Sequence, residues 1–591
     1  MLKKLRSFFS NYTLFFELLA VIIITIPAYT SLINPFYFSM HDDQHIARLF
    51  LLDKGIHQGY IFPRWVDTLG FNFGYPLFNF YPPLVYYIGE VFHLIGFSFA
   101  TSIKLVFITG FIVGGIGMYL LAKRHLGRFA GFLASILYTY FFYHAVLIYV
   151  RGALAEFFTL AILPFVFLAL DHLRENLTLR ESVIFGSLFA LLILTHPLIA
   201  VPFIFYLVFT YVFYLLIVKK RMRFTVLLGT GVLTGILLSS FFWLPSMIER
   251  RFTLVDSILT RELANYKIHF VCIGQLLNSP WGYGGSIAGC FDGLTFQLGK
   301  MHIVLILFSG LIAFWYATRK KRVSVNFEHF TYFMFLLLFS IFMTVENSKA
   351  IWDSLSYLWY LQFPWRFFTF TALFISMVGA FGLHYLQRLL TSYDISPKKI
   401  LATQMIFLIV VGGLVIVIYQ KYFHPSTYLA EDDIVFTSFY EIADRVSHTS
   451  FEFSPIGVKT KKTELGTTAF DISARQIPQK RYELKKGRAD IALLTDKFQE
   501  KILQVNAQEP SVVQLNTFFF PGWTYRLDGE RGQINSNNPY RLIVVKIPKG
   551  IHNLTFNFED TPIRKVADWI SGLTLLAVLS FFGFQLKKRK A

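Results

Sequence analysis

Twelve apolar stretches constrain the fold of this 591-residue chain more than any other feature. A helix needs about 20 consecutive apolar residues to cross the hydrocarbon core of a bilayer, and each stretch supplies close to that number. The stretches lie near residues 12–33, 103–122, 129–149, 153–170, 181–196, 198–218, 224–246, 301–318, 329–345, 365–386, 400–420 and 566–586. The sequence therefore predicts a polytopic α-helical membrane protein with about twelve transmembrane helices.

The composition supports this prediction. Apolar residues make up 55% of the chain, aromatic residues 18% and charged residues only 15%. A soluble domain carries roughly 25% charged residues, so several soluble domains in a row would not account for this chain. The same balance excludes a disordered chain, a collagen and a small disulfide-rich secreted module.

Residues 421–565 differ from the rest of the chain. They contain 20 Lys and Arg and 17 Asp and Glu, whereas the other 446 residues hold only 54 charges. Apolar and polar residues alternate over Leu542–Pro548, and Leu527–Gly529 is typical of a hairpin turn. We therefore expect an antiparallel β-sandwich. The net charge of this segment is only +3, and no nucleic-acid partner is expected.

The predicted organisation has three parts: a membrane module over residues 1–420, a β-rich domain over 421–565, and a last transmembrane helix with a basic tail over 566–591. The membrane module has two long outer loops, at 34–101 and 249–300. A further apolar stretch, Tyr81–Gly96, contains Glu90 and His93, so we interpret it as a helix at the membrane interface and not as a span.

Lysine and arginine in the short loops predict the orientation, because cytoplasmic loops are enriched in both. The basic positions taken as cytoplasmic are Lys3, Lys4, Arg6, Lys123, Arg124, Arg128, Arg174, Arg180, Lys219–Arg223, Arg319–Arg322, Arg388, Lys398, Lys399 and Lys587–Lys590. The prediction is a multi-pass protein of the plasma (inner) membrane, with both termini cytoplasmic and the large domain extracytoplasmic.

The two cysteines, Cys272 and Cys290, both fall in the second predicted outer loop. An oxidising outer compartment would allow a disulfide between them. Two structural thiols without a disulfide are the alternative. A zinc site would need more ligands than two cysteines supply.

A polar cluster follows the first apolar stretch, at His41-Asp42-Asp43-Gln44-His45 with Arg48. Neighbouring carboxylates raise one another's pKa, which suits a general base or a ligand for a divalent metal ion. The alternative is structural: Asp42 caps an interfacial helix and Arg48 is solvated.

The motifs of the first loop resemble those of a known superfamily. They are His41-Asp42-Asp43, Pro63-Arg64-Trp65, Gly74-Tyr75-Pro76-Leu77-Phe78 and Tyr81-Pro82-Pro83-Leu84. An acidic motif after the first membrane helix, followed by an interfacial helix, resembles the GT-C superfamily of membrane glycosyltransferases. More narrowly, the motifs resemble the bacterial 6-pyruvoyl-tetrahydropterin synthase-related membrane protein family. The resemblance covers residues 1 to about 420.

The resemblance implies roles for residues farther along the chain. A second acidic residue, Glu156, would assist Asp42 or hold a metal, and the alternative is a local ion pair with Arg151. Arg366, in Phe-Pro-Trp-Arg, would bind the carrier phosphate as a bidentate donor, and the alternative is an interfacial anchor. For His196, at a helix end, a structural role is the stronger interpretation.

The functional prediction is an inverting glycosyltransferase that uses a polyprenyl-phosphate-linked sugar and an outer-face glycan, glycolipid or cell-wall acceptor. The predicted catalytic residues are Asp42, Asp43 and Glu156, and a divalent metal ion held by Asp42 and Glu156 is an open possibility. The predicted substrate-binding residues are His41, His45, Arg64, Arg151, His196 and Arg366. The alternative function is a non-enzymatic transporter of lipid-linked glycan or a cell-envelope assembly scaffold.

Overall fold

The computed structural model describes residues 12–260, 264–320, 325–464 and 466–590. The predicted cytoplasmic residues Lys3, Lys4, Arg6, Lys321 and Arg322 lie outside the described residues. The chain forms two compact units, each assembled from separate segments. Unit 1 comprises the chain up to Asp43, Ile103–Gly235 and Tyr266–Ala430, and unit 2 comprises Gln44–Ser102, Ile236–Asn265 and the chain from Glu431.

The longer helices include all the predicted apolar stretches, and His45–His57 is a further helix outside those stretches. They are Thr13–Tyr29, His45–His57, Leu84–Leu94, Phe99–Leu126, Arg128–Thr139, Leu154–Asn176, Leu179–Thr195, Pro197–Ile217, Arg221–Leu238, Ser240–Glu249, Lys300–Lys320, Val325–Phe342, Phe368–Ser392, Pro397–Phe407, Gly413–Tyr419 and Pro562–Lys590. Shorter α-helices are Leu77–Phe80, Phe142–Ala145, Val255–Leu259, Ile273–Leu277, Lys349–Ser354, Asp433–Phe436 and Ser447–Thr449. The 3₁₀ turns are Thr30–Ile33, Arg250–Phe252, Tyr266–Ile268, Glu346–Ser348, Ser356–Leu361, Pro364–Phe367, Gln420–Tyr422 and Ala474–Gln476, and the π turns are Val146–Val150, Leu408–Gly412 and Glu441–Val446.

Among the described residues, nine helices are long and apolar enough to span a membrane, or ten if one bent pair forms a single span. The bent pair, Arg128–Thr139 with Phe142–Val150, corresponds to the predicted stretch 129–149. The two remaining predicted stretches are also helical, but Leu179–Thr195 and Val325–Phe342 are shorter. The prediction of a polytopic helical membrane protein is confirmed, and Leu84–Leu94 is too short to count as a span.

The helix Phe368–Ser392 forms the core of unit 1. The segment Pro364–Ser392, which consists of this helix and the 3₁₀ turn before it, is buried along its apolar part. Small residues let neighbouring helices approach it closely: a Cβ at Gly379 would lie 2.9 Å from Leu137, and one at Gly382 would lie 2.6 Å from Phe308. This packing fixes the start of the helix, where Arg366 is located.

The C-terminal β-region belongs to unit 2 and consists mainly of two antiparallel sheets. The five-stranded sheet has the order Glu530–Arg531, Trp523–Leu527, Gly550–Phe558, Glu500–Ala507, Ala489–Lys497. The three-stranded sheet has the order Leu542–Ile547, Ser511–Phe518, Tyr482–Lys486. Two-stranded pairs join Tyr37–Phe38 to Tyr428–Leu429 within unit 1 and Thr460–Lys462 to Thr468–Phe470 within unit 2. The β-rich region before the last helix is therefore confirmed.

Many aromatic residues of the β-region are core residues. Phe518, Phe520, Trp523, Phe556 and Phe558 are all buried. Strand residues alternate between buried and exposed positions, as in Glu500–Ala507, which is the pattern of a sheet with one covered face. These side chains therefore stabilise the domain by burial of apolar surface.

Candidate functional site

The backbone of the first loop is tied to the end of a membrane helix in unit 1. The amide of His41 donates to the carbonyl of Val150 at 3.0 Å, and the amide of Asp42 donates to the carbonyl of Arg151 at 2.8 Å. Two consecutive bonds of this kind align the two segments side by side. They place Asp42 next to Arg151, although 109 residues separate them in sequence.

A π turn and a glycine shape the segment that carries Arg151. The turn Val146–Val150 is π-helical. This geometry is rare in proteins, and where it does occur it is often at a functional site. Gly152, two residues after the end of this turn, has a φ of +66°. A Cβ at Gly152 would lie 2.2 Å from the sulfur of Met40, so the close approach of the Met40 segment requires glycine at this position.

Glu156 joins the two candidate arginines. Its Oε2 accepts from Nη1 of Arg151 at 2.7 Å and from Nε of Arg366 at 3.1 Å, and its Oε1 accepts from the hydroxyl of Tyr143. Glu156 is 1% exposed, and the two arginines are 7% and 8% exposed. Glu156 lies in the first turn of Leu154–Asn176, where the helix dipole favours a carboxylate.

Arg366 is held at the N-terminal end of the core helix of unit 1. Its Nη1 donates to the carbonyl of Leu361 at 2.8 Å and to Oε1 of Gln362 at 3.1 Å. Gln362 has a φ of +64°, a backbone conformation that costs free energy for a residue with a side chain. Strain of this kind persists where the surroundings impose it, and it is common at functional sites.

His196 caps the helix Pro197–Ile217. Its Nδ1 accepts from the amide of Ile199 at 3.2 Å, so the ring proton is on Nε2 when the ring is neutral. The ring also interacts electrostatically with Arg366 and Glu156. His196 thus has the structural role that the sequence favoured, and its ring also lies within electrostatic reach of Arg151.

Asp42 adds a second negative charge to this cluster. Its carboxylate attracts both Arg151 and Arg366. Burial alone would lower the pKa of the Arg151 guanidinium, but Glu156, Tyr143 and Asp42 outweigh burial and hold that pKa above its ordinary value. The charge cluster, defined as Asp42, Arg151, Glu156, His196 and Arg366, therefore holds two guanidinium groups against two carboxylates.

The charge cluster is a poor fit for a divalent metal ion. Both carboxylate oxygens of Glu156 already accept hydrogen bonds from protein donors, and two guanidinium groups would repel a cation there. Within the described ranges, no group of three or more His, Cys, Asp or Glu is arranged to hold a metal. The predicted pairing of Asp42 with Glu156 as metal ligands has no support from this donor set.

His41 and Asp43 flank Asp42. The Nε2 of the exposed His41 ring lies 2.9 Å from the carbonyl oxygen of Tyr283, which belongs to the second predicted outer loop. Asp43 is half-buried and ends this segment of unit 1. The loop that contacts His41 contains the disulfide Cys272–Cys290.

The two other candidates, His45 and Arg64, belong to unit 2. His45 is buried, and its Nδ1 lies 2.9 Å from the hydroxyl of Tyr86. Arg64 is also buried and donates to Asp568 at 2.6 Å and to the carbonyl of Phe241 at 3.1 Å. Arg64 also pairs with Asp560 at 3.3 Å and binds Asn79. Protein acceptors therefore surround its guanidinium.

The sequence did not single out three residues that contact the charge cluster: Tyr143, Gln362 and Trp365. Tyr143 lies in an aromatic-rich helix, and nothing in the sequence distinguishes it from the neighbouring tyrosines. Gln362 and Trp365 flank a motif chosen for its arginine, and the face of Trp365 lies 4.7 Å from the Arg151 guanidinium. The position of Trp365 beside Arg366 was the one available signal.

Comparison with known proteins gives a matching family model and distantly similar solved structures. The family model for the 6-pyruvoyl-tetrahydropterin synthase related domain, described as a membrane protein, matches residues 78–423. Comparison with curated proteins gives no match.

Two solved structures are similar to the chain. The arabinofuranosyltransferase AftD from Mycobacteria has a TM-score of 0.44 and 12% identity, over 71% of this chain and 28% of that one. The arabinosyltransferase EmbB from Mycobacterium smegmatis has a TM-score of 0.34 and 10% identity, over 92% of this chain and 63% of that one. The chain thus spans less than a third of AftD and less than two thirds of EmbB.

Proposed function

Since the chain belongs to the 6-pyruvoyl-tetrahydropterin synthase-related family of membrane proteins, we propose that it is a membrane glycosyltransferase. It transfers a sugar, with inversion, from a polyprenyl-phosphate-linked donor to an extracytoplasmic glycan, glycolipid or cell-wall acceptor. The family description is not a guide to the reaction. A pterin synthase site would need a cluster of metal-binding histidines, and the described part of the chain has no such group.

One observation carries this proposal: five candidates chosen from sequence meet in one place. Asp42, the pair Arg151 and Glu156, His196 and Arg366 lie on four separate segments of unit 1, and each of the five residues interacts with at least two of the others. Buried charges are costly unless they are paired, so an arrangement with three of them in one cluster, Arg151, Glu156 and Arg366, needs a reason. A reaction that displaces a charged phosphate gives such a reason.

Arg151 and Arg366 are the groups we assign to the leaving phosphate. A guanidinium has five N–H donors. Among the hydrogen bonds of the described residues, Arg151 donates from Nη1 alone, and Arg366 donates from Nε and Nη1. The remaining donors suit the oxygens of a phosphate, which guanidinium groups bind in bidentate fashion. Arg64 lacks this capacity because its N–H groups already face the carboxylates of Asp560 and Asp568 and the carbonyl of Phe241.

Asp42 is the group we assign as general base. Its carboxylate takes the proton of the acceptor hydroxyl while that oxygen forms a bond to the anomeric carbon of the donor sugar. The bond between this carbon and the phosphate oxygen breaks, and the polyprenyl phosphate leaves with the electron pair. A single displacement of this kind inverts the configuration at the anomeric carbon.

Glu156 is the group we assign to orientation. It fixes both guanidinium groups through one oxygen, and Tyr143 fixes Glu156 through the other. Donors held in place before the reaction stabilise developing charge at little reorganisation cost. In this mechanism no step passes through a metal ion.

The proposal places the reaction at the outer face of the plasma (inner) membrane. It requires both termini to be cytoplasmic, as the basic loop residues predict, and the β-region to be extracytoplasmic. A nucleotide-sugar donor would then be on the wrong side of the membrane. A lipid-linked donor supplies the sugar on the correct side.

Transfer of labelled sugar tests the proposal. Purified protein in lipid is given a panel of polyprenyl-phosphate sugars with cell-envelope glycans and glycolipids as acceptors, and the product anomer is determined. We expect transfer with inversion from at least one donor and its loss in Asp42→Asn. The matched control Asp432→Asn, an exposed carboxylate outside the charge cluster, keeps the wild-type rate. Transfer by Asp42→Asn at the wild-type rate would falsify the assignment of the base.

A further inference from the structure

A disulfide closes the loop that contacts His41. The bond joins Cys272 and Cys290, which are 18 residues apart. Within this disulfide loop, defined as residues 272–290, the amide of Gly284 donates at 2.8 Å to the carbonyl of Gly293, which lies just beyond the loop. A Cβ at Gly282 would lie 2.5 Å from that same carbonyl oxygen, so the backbone is tightly folded here. The loop is therefore a closed and constrained element.

The base of the disulfide loop is anchored by one carboxylate. Asp292 accepts from the side-chain amide of Gln275 at 2.9 Å and from the hydroxyl of Ser279 at 2.5 Å. The hydroxyl of Ser279 also accepts from the amide of Phe296 at 3.0 Å. These contacts hold the two ends of the loop together beside the disulfide.

The disulfide loop contacts two residues that adjoin the charge cluster, His41 and Trp365. On one side, the carbonyl of Tyr283 lies 2.9 Å from Nε2 of His41, the residue before Asp42. On the other side, the hydroxyl of Ser286 accepts from the indole N–H of Trp365 at 3.2 Å. One short loop thus contacts both the segment of the base and the segment of Arg366.

Trp365 transmits the second contact to Arg151. The indole is 1% exposed, and its face lies 4.7 Å from the Arg151 guanidinium carbon. Its other contacts fix the ring: Phe363 stacks on it with centroids 4.7 Å apart and planes 18° apart. A cation over the face of a tryptophan is attracted by the ring, so the orientation of the indole sets where Arg151 is held.

We propose that the disulfide loop positions the charge cluster, with Trp365 as the positioning residue for Arg151. This inference rests on the proposed glycosyl transfer and deepens it. With the disulfide intact, Ser286 fixes the indole and Tyr283 fixes His41, so the base and the phosphate-binding guanidinium keep their separation. Opening the loop releases both contacts at once and disturbs this geometry while each charged side chain is still present.

Hydrogen exchange tests the positioning without any assumption about the substrate. The amides of His41 and Asp42 donate to Val150 and Arg151, so their exchange rates report whether the two segments stay aligned. The folded protein in lipid is measured before and after reduction of the disulfide, and as the Cys272→Ser/Cys290→Ser variant. We expect faster exchange at residues 41–43. Unchanged exchange there would overturn the proposal.

Kinetics of Ser286→Ala and Trp365→Phe test the consequence for transfer. Ser286→Ala removes the hydroxyl that contacts both the Trp365 indole and the His269 ring, and Trp365→Phe removes the indole N–H alone. For both variants we expect kcat to fall about tenfold while KM for the donor stays within about twofold. Ser286→Thr, which keeps a hydroxyl, restores kcat. The matched control is Trp359→Phe, which also loses an indole hydrogen bond, to the carbonyl of Trp352 at 2.7 Å, and keeps its kcat.

The two readouts separate this inference from the proposed function. Faster exchange at residues 41–43 in a protein that transfers no sugar from any donor supports the positioning and rejects the glycosyltransferase. Faster exchange with an unchanged kcat in Ser286→Ala and in the reduced protein overturns the positioning role and leaves the glycosyltransferase in place.

Discussion

Both units bury arginines against carboxylates, but they use them differently. In unit 2, Arg64 has two carboxylates and a backbone carbonyl, and Arg564 has Glu249 and the carbonyl of Pro521. In unit 1, two arginines share the single carboxylate of Glu156. Saturated pairs are typical of structural support. Shared and incompletely used donors indicate a place for a further anion.

Another saturated cluster of unit 2 makes the contrast clearer. Asp67 is 3% exposed and pairs with Arg481 at 3.0 Å and with Lys501 at 3.4 Å. Arg481 also donates to the carbonyl of Asn72 at 3.0 Å, and Lys501 pairs with Asp496. These contacts join the first predicted outer loop to the β-region inside unit 2. The comparison predicts that loss of an arginine affects activity in unit 1 and stability in unit 2.

The largest expected effect comes from replacing one arginine of each unit by alanine and comparing the two variants. Arg366→Ala removes one of the two guanidinium groups proposed to bind the leaving phosphate, and we expect kcat to fall by about 10³-fold or more, because charge stabilisation of the leaving group is lost. Arg481→Ala removes a structural partner of Asp67 and lowers the free energy of unfolding by about 3 kcal/mol. Activity of the Arg481→Ala protein that remains folded stays near that of wild type. Rate and thermal stability, measured on both variants, check this contrast.

The comparison is contradicted if the two variants behave alike. Equal losses of stability with equal residual rates would mean that both clusters are structural. Arg366→Lys sharpens the test, because lysine keeps the charge and loses the planar donor set. We expect it to recover less than about a tenth of the wild-type rate.

Asp67 gives the next effect, which depends on pH. Burial would raise its pKa, but Arg481, Lys501 and Lys54 outweigh burial and hold the pKa of Asp67 well below its ordinary value of 3.8. The stabilisation is therefore fully present above that value and is lost as the pH falls toward the folded-state pKa. Asp67→Asn removes about 3 kcal/mol at pH 7. Unfolding monitored between pH 3 and 7 should show a shallower acid dependence in this variant.

The result for Asp67 has a matched control at Asp496, an exposed partner of the same cations. Asp496→Asn should cost less than about 1 kcal/mol, because a partly exposed ion pair contributes little. If Asp67→Asn is as stable as wild type at pH 7, the ion pairs in unit 2 do not support its fold.

Gly152 gives an intermediate effect in unit 1. Gly152→Ala places a Cβ against Met40 and keeps a φ of +66°, so we expect a loss of about 2 kcal/mol in stability and a clear loss of rate. Gly59 has a φ of +94° with open space around it, and Gly59→Ala controls for backbone strain alone. If the two variants lose the same rate, the contact with Met40 has no role in the site.

Glu90 gives the smallest effect. Burial and the neighbouring Asp53 raise the pKa of Glu90 to about 7, and His57 opposes this rise. A second histidine, His93, lies 3.9 Å from the carboxylate of the same Asp53. The folded state thus binds the extra proton, so this group makes the protein less stable as the pH rises from about 4.5 to about 7. Glu90→Gln should stabilise unit 2 by about 1 kcal/mol at pH 8 and have no effect at pH 4, as thermal unfolding would show.

The fold was largely predictable from sequence, because apolar length determines membrane helices and charge density distinguishes the β-region. The residues at the core of the candidate site, Asp42 with Arg151, Glu156 and Arg366, were singled out through the family resemblance together with residue type and position. The different surroundings of Arg64 and Arg366 did not. Both arginines stand beside proline and tryptophan, and the partners that distinguish them lie up to 504 residues away. Long-range pairing of this kind leaves no local signal.

The two local features of the site that were missed have a similar explanation. The π turn Val146–Val150 consists of ordinary apolar residues, which fit an α-helix equally well. Tyr143 is one of 31 tyrosines, and only its distance from Glu156 marks it. A sequence pattern reports periodicity and composition, whereas these features depend on tertiary packing.

The rate of sugar transfer by Asp42→Asn, measured together with its affinity for polyprenyl phosphate, tests the central claim most directly. The asparagine cannot accept the proton, but Arg151, Glu156 and Arg366 are unchanged. We therefore predict a turnover about 10³-fold below wild type with an affinity within about twofold of wild type. A turnover equal to that of wild type and of the control Asp432→Asn would contradict the account, since the charge cluster would then lack the base on which the reaction depends.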